Sequence, residues 1–307
     1  MNGNLDEAYF FLREGEFEKA RHLFSQLLDQ NPDNLDWINS YFIASYWDNK
    51  IDHLMSLREG KDRGKAILRY LDDFENEIIN RRIPREEAYT ATLQCVLEEA
   101  SHHLGISFRL EGWNGVDGET LRGLVICFIR LGNFAKALEL LEYSGNLDHQ
   151  SSDLSFLRAE CLIGVGRLDE GKELYKRAFL DDPTRFRSEN IIWEPIKIHL
   201  ERLRRSGVDQ EYISHLLPVS CQLAGVFANS IPATNSDLDY YLNQLQRLQD
   251  SKNNIQGKFA NKLNLKIVMI GSVVLEKFSD KVYPQEISFV RKILADSKEA
   301  INDLLLL

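Results

Sequence analysis

Proline and cysteine are scarce in this 307-residue chain, and no hydrophobic run is long: it holds 7 Pro, 4 Cys and 3 Met. An internal proline removes a helical hydrogen bond and crowds the preceding turn, so its scarcity leaves room for long helices. Cys95, Cys127, Cys161 and Cys221 form no Cys-x-x-Cys pair and sit among apolar residues at helical spacing. That pattern reads as buried reduced thiols, not a disulfide framework or a zinc site. The longest apolar run, residues 267–275, is bounded by Lys266 and Glu276. It falls far short of the roughly 20 residues that span a bilayer. No N-terminal segment joins a basic start to an apolar stretch and a small-residue cleavage site. A cytoplasmic chain without a membrane span is therefore expected. Basic residues are also in deficit, 37 against 47 acidic, for a net charge of −10. That balance repels polyanions, so general binding of nucleic acid is not expected. A nucleophile elbow, a zinc signature and a dinucleotide fingerprint are all missing. A non-enzymatic chain with no cofactor follows as the expectation.

What the chain does have is a repeat. The runs GEFEKA at 15–20, GNFAKA at 132–137 and GRLDEG at 166–171 align, and the last two start 34 residues apart, at Gly132 and Gly166. The flanks keep the same register. Ahead of the turn, Ala8 and Phe11 correspond to Val125 and Phe128, and to Ala159 and Leu162. Behind it, Phe24 corresponds to Leu141 and Tyr175, and Leu27 to Ala178. Small residues at these positions let two antiparallel helices approach closely, with a large side chain filling the space beside them. The glycines suit a left-handed residue ending each first helix. Pro32 and Pro183 close the first and third units, and His149 stands at that place in the second.

A 34-residue helix–turn–helix period resembles the tetratricopeptide repeat family. The likeness covers residues 1–34, 118–151 and 152–185. It departs from the family in lacking an early tryptophan and in having Gly171 where alanine is usual. The resemblance implies an all-α fold, an α-solenoid of such repeats with divergent long helices and a C-terminal helical region. Residues 1–185 form the repeat region, with a divergent insertion at about 35–117. Residues 186–307 are expected to pack on it or extend it. In the insertion, an aromatic helix starts after Asp33 or Asn34, a charged one runs from about 52 to 80, and Pro84 opens a third. Helical patterns continue at about 189–205, 209–229, 236–250, 254–279 and 285–305. Residues 238–274 offer a short coiled-coil seam or, alternatively, a face packed on the repeats. The leucine-rich end from Ile301 either folds back or meets a partner.

In the tetratricopeptide family the first helix of each pair lines a concave groove that holds a peptide or helix. Carried over by position, the lining is Leu5, Tyr9, Leu12 and Arg13, then Arg122, Ile126, Ile129 and Arg130, then Phe156, Glu160 and Ile163. An apolar lining with Arg122 and Arg130 suits a hydrophobic segment flanked by acidic residues. The leading expectation is a protein-binding scaffold or adaptor, with the C-terminal helices as a further oligomerisation surface. The alternatives are a peptide-sensing regulator and a helical-bundle metal protein or enzyme using Glu99 and His102, whose spacing puts both on one helix face. The glycine-rich stretch 111–118 is read as a connector, because Asp117 would repel phosphate and no Lys-Ser/Thr follows.

Overall fold

The computed structural model describes residues 2–112, 117–144, 152–252, 257–279 and 283–305. His149, residues 113–116 of the glycine-rich connector, Ile255, and the last two leucines lie outside them. Among the described residues there are fifteen α-helices and no strand, so the chain is all-α. It separates into two units, Met1–Leu140 and Leu141–Leu307, each with its own hydrophobic core.

The first unit holds α1 (Asn2–Arg13), α2 (Phe17–Gln30), α3 (Leu35–Ser56), α4 (Lys61–Asn80), α5 (Glu87–Glu111) and α6 (Gly118–Arg130), and it ends within α7 (Phe134–Ser144). Asn34 caps α3 by accepting a 3.1 Å bond from the Trp37 N–H, an interaction that stabilises a helix by about 1 kcal/mol. The helix expected over 52–80 is two helices. Gly60 takes φ 101° and α3 ends at Ser56, so the aromatic stretch 35–47 and the residues up to 56 form one continuous rod. Gly64, inside α4, has a different use: a Cβ there would lie 2.7 Å from Leu104 Cγ, so its absence lets α4 and α5 close up. In the core, Trp47 meets Phe74 at 5.7 Å and Phe17 at 6.1 Å, and Phe74 stacks on Tyr89 at 6.1 Å. Helix α5 packs against α1, α3, α4 and α6. The unit therefore folds back on itself, with its latest long helix against its first.

The second unit takes the rest of α7, then α8 (Ser152–Gly164), α9 (Leu168–Asp181), α10 (Glu194–Arg205), α11 (Gln210–Leu223), α12 (Asn235–Lys252), α13 (Lys258–Lys277), α14 (Pro284–Ala300) and α15 (Asn302–Leu305). Two 3-10 turns, Pro183–Arg185 and Ser188–Asn190, link α9 to α10. Helix α13 is the axis of this unit: Leu265, Ile267, Val268, Met269, Ile270, Val273 and Val274 are all buried, and α9, α11, α12 and α14 pack around it. Its stretch 267–274, buried on nearly every side, sits in the middle of the core, while the lysines before it reach the surface. The seam at 238–274 is thus an internal contact of α12 with α13. At the C-terminal end Ile301 is buried, and Leu304 and Leu305 pack on the same core.

The three aligned segments end their first helices in the same way. In each, the residue after the glycine donates its N–H five residues back, Glu16 to Phe11, Asn133 to Phe128 and Arg167 to Leu162, at 2.7–2.9 Å. The glycines take φ of 75°, 74° and 85°, a left-handed conformation that costs a residue with a Cβ. The small positions Ala8, Ala20, Ala137 and Ala159 are fully buried, as are Phe24, Val125 and Tyr175.

Candidate functional site

The face formed by α5 and the α6–α7 turn carries a concavity of about 520 Å³. Its floor is Leu93, Leu97, Phe128 and Leu131, and its polar edge is Gln94, Glu98, Asn133 and Lys136. The floor exists because α5 turns Leu93 and Leu97, four residues apart, toward α6, and the Gly132 turn holds Phe128 and Leu131 beside them. The Lys136 ammonium stands 5.9 Å from the centre of the Phe128 ring. No carboxylate among the described residues lies within ion-pair reach of it. On the opposite rim Gln94 bonds Glu98 at 3.0 Å. A cation and an acid thus flank an apolar strip, an arrangement able to hold an apolar segment and to fix its direction by charge.

Of the residues assigned to a groove from the sequence, only Arg130 lines this concavity. Its guanidinium is already engaged by Glu75 of α4, which also accepts from the Tyr89 hydroxyl at 3.0 Å. Ile129 is fully buried beneath the surface, and Arg122 and Ile126 are half-buried. On α1, Leu12 is fully buried, Leu5 packs on the core, and exposed Arg13 pairs with Glu87 at 2.5 Å. Tyr9 meets Phe24 at 5.7 Å and lines a separate, smaller recess with Ser40 and Tyr89. Burial and the nearby Glu87 push its phenol above its ordinary range. Helix α5 packs against both α1 and α6, so the lining sets on these two helices are parted by a helix of the insertion.

In the second unit, Phe156 and Glu160 are covered by the chain itself. Phe186 packs on Phe156 at 5.5 Å, and Phe179 meets it at 4.8 Å. The Glu160 carboxylate accepts the N–H groups of Ile192 and Trp193 at 3.1–3.3 Å and the Tyr175 hydroxyl. Burial raises its pKa, though these bonds oppose the rise. Phe156 and Glu160 are therefore packing and anchoring groups for residues 186–193. Ile163 is half-buried against Gly171.

Glu99 is exposed and His103 is buried, with 3.7 Å between their nearest atoms; the ring of His102 lies 5.5 Å from that of His103. Burial, reinforced by Arg63, pushes the His103 pKa down. Among the described residues no group of three or more His, Cys, Asp or Glu side chains could hold a metal ion. All four cysteines are free and buried, and burial pushes each thiol up to about 12. Asp117 caps α6 through the Thr120 N–H at 2.8 Å and pairs with Lys65 at 3.0 Å. Its connector role ends in a helix cap.

Sequence reasoning overlooked a buried charge network in the second unit. Glu173 accepts from the Lys176 and Lys277 ammoniums at 2.5 and 2.7 Å and from Asn229 at 3.1 Å, while its other oxygen faces Arg177 at 3.1 Å. Burial would raise Glu173, yet the two ammoniums hold it down at about 2. Lys176 itself is pushed down to about 8 by burial, with Lys277 adding to the effect and Glu173 opposing it. The one signal available was Glu173 and Lys176 three residues apart on α9; Lys277 and Asn229 come from distant sequence.

No family model, curated protein or solved structure matches the chain. Among the described residues no helix is long and apolar enough to cross a membrane.

Proposed function

We propose that this chain is a non-catalytic scaffold or adaptor of the tetratricopeptide-like kind. In this reading it is a cytoplasmic repeat solenoid interrupted by divergent long helices, and it holds a helical or extended segment of another protein. The observation that carries the reading is the concavity between α5 and the α6–α7 turn, with its apolar floor flanked by Lys136 and Glu98. Three hairpins with equivalent turns support the repeat character. The partner segment that fits has apolar residues spaced along one face and an acidic residue placed to meet Lys136. The groove differs from the one expected from the family, because α5 supplies one wall and the Gly132 turn the other.

A photo-crosslinking residue at Gln94 tests this, with one at exposed Ile79 on α4 as the control. A discrete protein adduct is expected at position 94, absent at 79, and weakened at least tenfold by Lys136→Glu, in keeping with loss of a charged contact of ~1.5 kcal/mol or more. Adducts alike at both positions, or indifferent to Lys136→Glu, would place partner binding elsewhere.

A further inference from the structure

The second unit contains a cleft of a different chemistry. It lies between the end of α9, α11 and α13 and measures about 330 Å³. Its walls include Phe179, Pro218, Val219, Leu265, Met269 and Phe259, and Phe259 is 72% exposed although it is a large apolar side chain. Three basic side chains converge on these walls. Lys262 and Lys266 stand one turn apart on α13, and His215 faces them from α11.

The contrast with Lys258 is instructive. One turn earlier on the same helix, Lys258 pairs with Glu211 at 3.1 Å and Asp209 at 3.6 Å. Lys262 and Lys266 have no carboxylate within 4 Å among the described residues; Lys262 instead sits 6.0 Å from the ring centres of Tyr212 and Phe259. Asp181 lines the cleft, and Asp182 lies near it with its carboxylate taken by Thr184 and Arg185. Burial lowers the pKa of Lys266, with Asp181 and Asp182 opposing, and burial together with Lys262 lowers that of His215. In a chain of net charge −10, lysines gathered on an apolar wall without ion-pair partners form a local exception.

We propose that this cleft binds a small carboxylate with an apolar chain or ring, its carboxylate between Lys262 and Lys266 and its body against Phe179, Val219 and Met269. The volume is at the lower end of small-molecule sites and corresponds to about eleven water volumes of ~30 Å³ each, so a ligand of about ten heavy atoms fits. The site lies in the second unit and does not rest on the groove of the first.

Octanoate and octan-1-ol share an apolar chain and differ in charge, so titration calorimetry of the full chain at pH 7 with each is decisive. Octanoate is expected to bind one to one with a submillimolar Kd, and octan-1-ol at least tenfold more weakly. Lys266→Met should weaken octanoate at least tenfold and leave octan-1-ol unchanged; if that variant fails to fold, the less enclosed Lys262→Met serves. Leu263→Trp, which narrows the cleft from its rim, should weaken both ligands. Equal binding of acid and alcohol would mean an apolar cleft without anion recognition and would overturn the proposal. So would the absence of octanoate binding, or an affinity indifferent to both lysine substitutions.

Discussion

A single missing carbon at Gly171 sets how closely α8 and α9 pack. The equivalent positions in the other two hairpins are Ala20 and Ala137, both fully buried. At Gly171 a Cβ would collide with Ile163 Cγ1 and stand 3.0 Å from the Ala159 carbonyl oxygen. Glycine inside a helix ordinarily costs ~0.5–1 kcal/mol relative to alanine, and overpacking costs ~1–3 kcal/mol. The second term is the larger here, because the obstruction includes backbone. Gly171→Ala is therefore expected to lower stability by about 1 kcal/mol, the reverse of the usual helix-interior result. Ile163→Ala removes the colliding carbon, so the double variant should be less destabilised than the sum of the singles. Urea unfolding of the four chains measures this. Strict additivity would show that Ile163 is not the obstruction. The repeat pattern made Gly171 visible as a departure, but only the interhelical distance explains it.

Residues 183–193 show the same principle at the level of an element. Their two 3-10 turns pair the N–H groups of Arg185, Phe186, Asn190 and Ile191 with nearby carbonyls, and those of Ile192 and Trp193 go to a side chain. Glu160 provides it, accepting from both, while Phe156 and Tyr175 supply the apolar seat for Phe186 and Trp193. Glu160→Ala should leave those two N–H groups unpaired and release the segment locally at a cost of ~1–3 kcal/mol. Hydrogen exchange reads it: faster exchange at Ile192 and Trp193, with little change in buried α13. Unchanged protection at those amides would mean that aromatic packing alone holds the segment. The helical class, most helix positions and the three equivalent turns were legible, because they follow from local spacing and glycine placement. The long α3 was less so: its apolar residues form no clear stripe, and the break at Gly60 competes with another glycine four residues on. Groove assignment by position put Phe156 and Glu160 on an open face. What covers them is an irregular segment with no periodicity to announce it. Lys136 was passed over because it belongs to a second helix, behind the turn, and α5 brings the facing wall from the insertion.

Across a whole unit, the charge network at Glu173 ties α9, α13 and the 226–234 connection together, and it makes stability depend on pH in a defined direction. The folded state holds this carboxyl at about 2, against ~4.3 in an unfolded chain. A depressed carboxyl contributes stability that is fully present above the unfolded value and lost as pH falls from there through about 2. Lys176, pushed down to about 8, works the other way. Being harder to protonate in the folded chain, it carries a constant penalty below about pH 8 that is relieved as pH rises toward its unfolded value. Between pH 5 and 7, then, the carboxylate is the group that compensates two enclosed ammoniums. Glu173→Gln keeps the shape and removes that charge, and is expected to cost ~3–5 kcal/mol at pH 7. Toward pH 2 the native carboxyl becomes neutral itself, so the stability gap between the two chains should narrow. Urea unfolding of both chains from pH 7 down to pH 2.5 makes the comparison. A gap that stays constant with pH would show that Glu173 acts through shape and hydrogen bonding, and that its charge does not hold Lys176 and Lys277 in place.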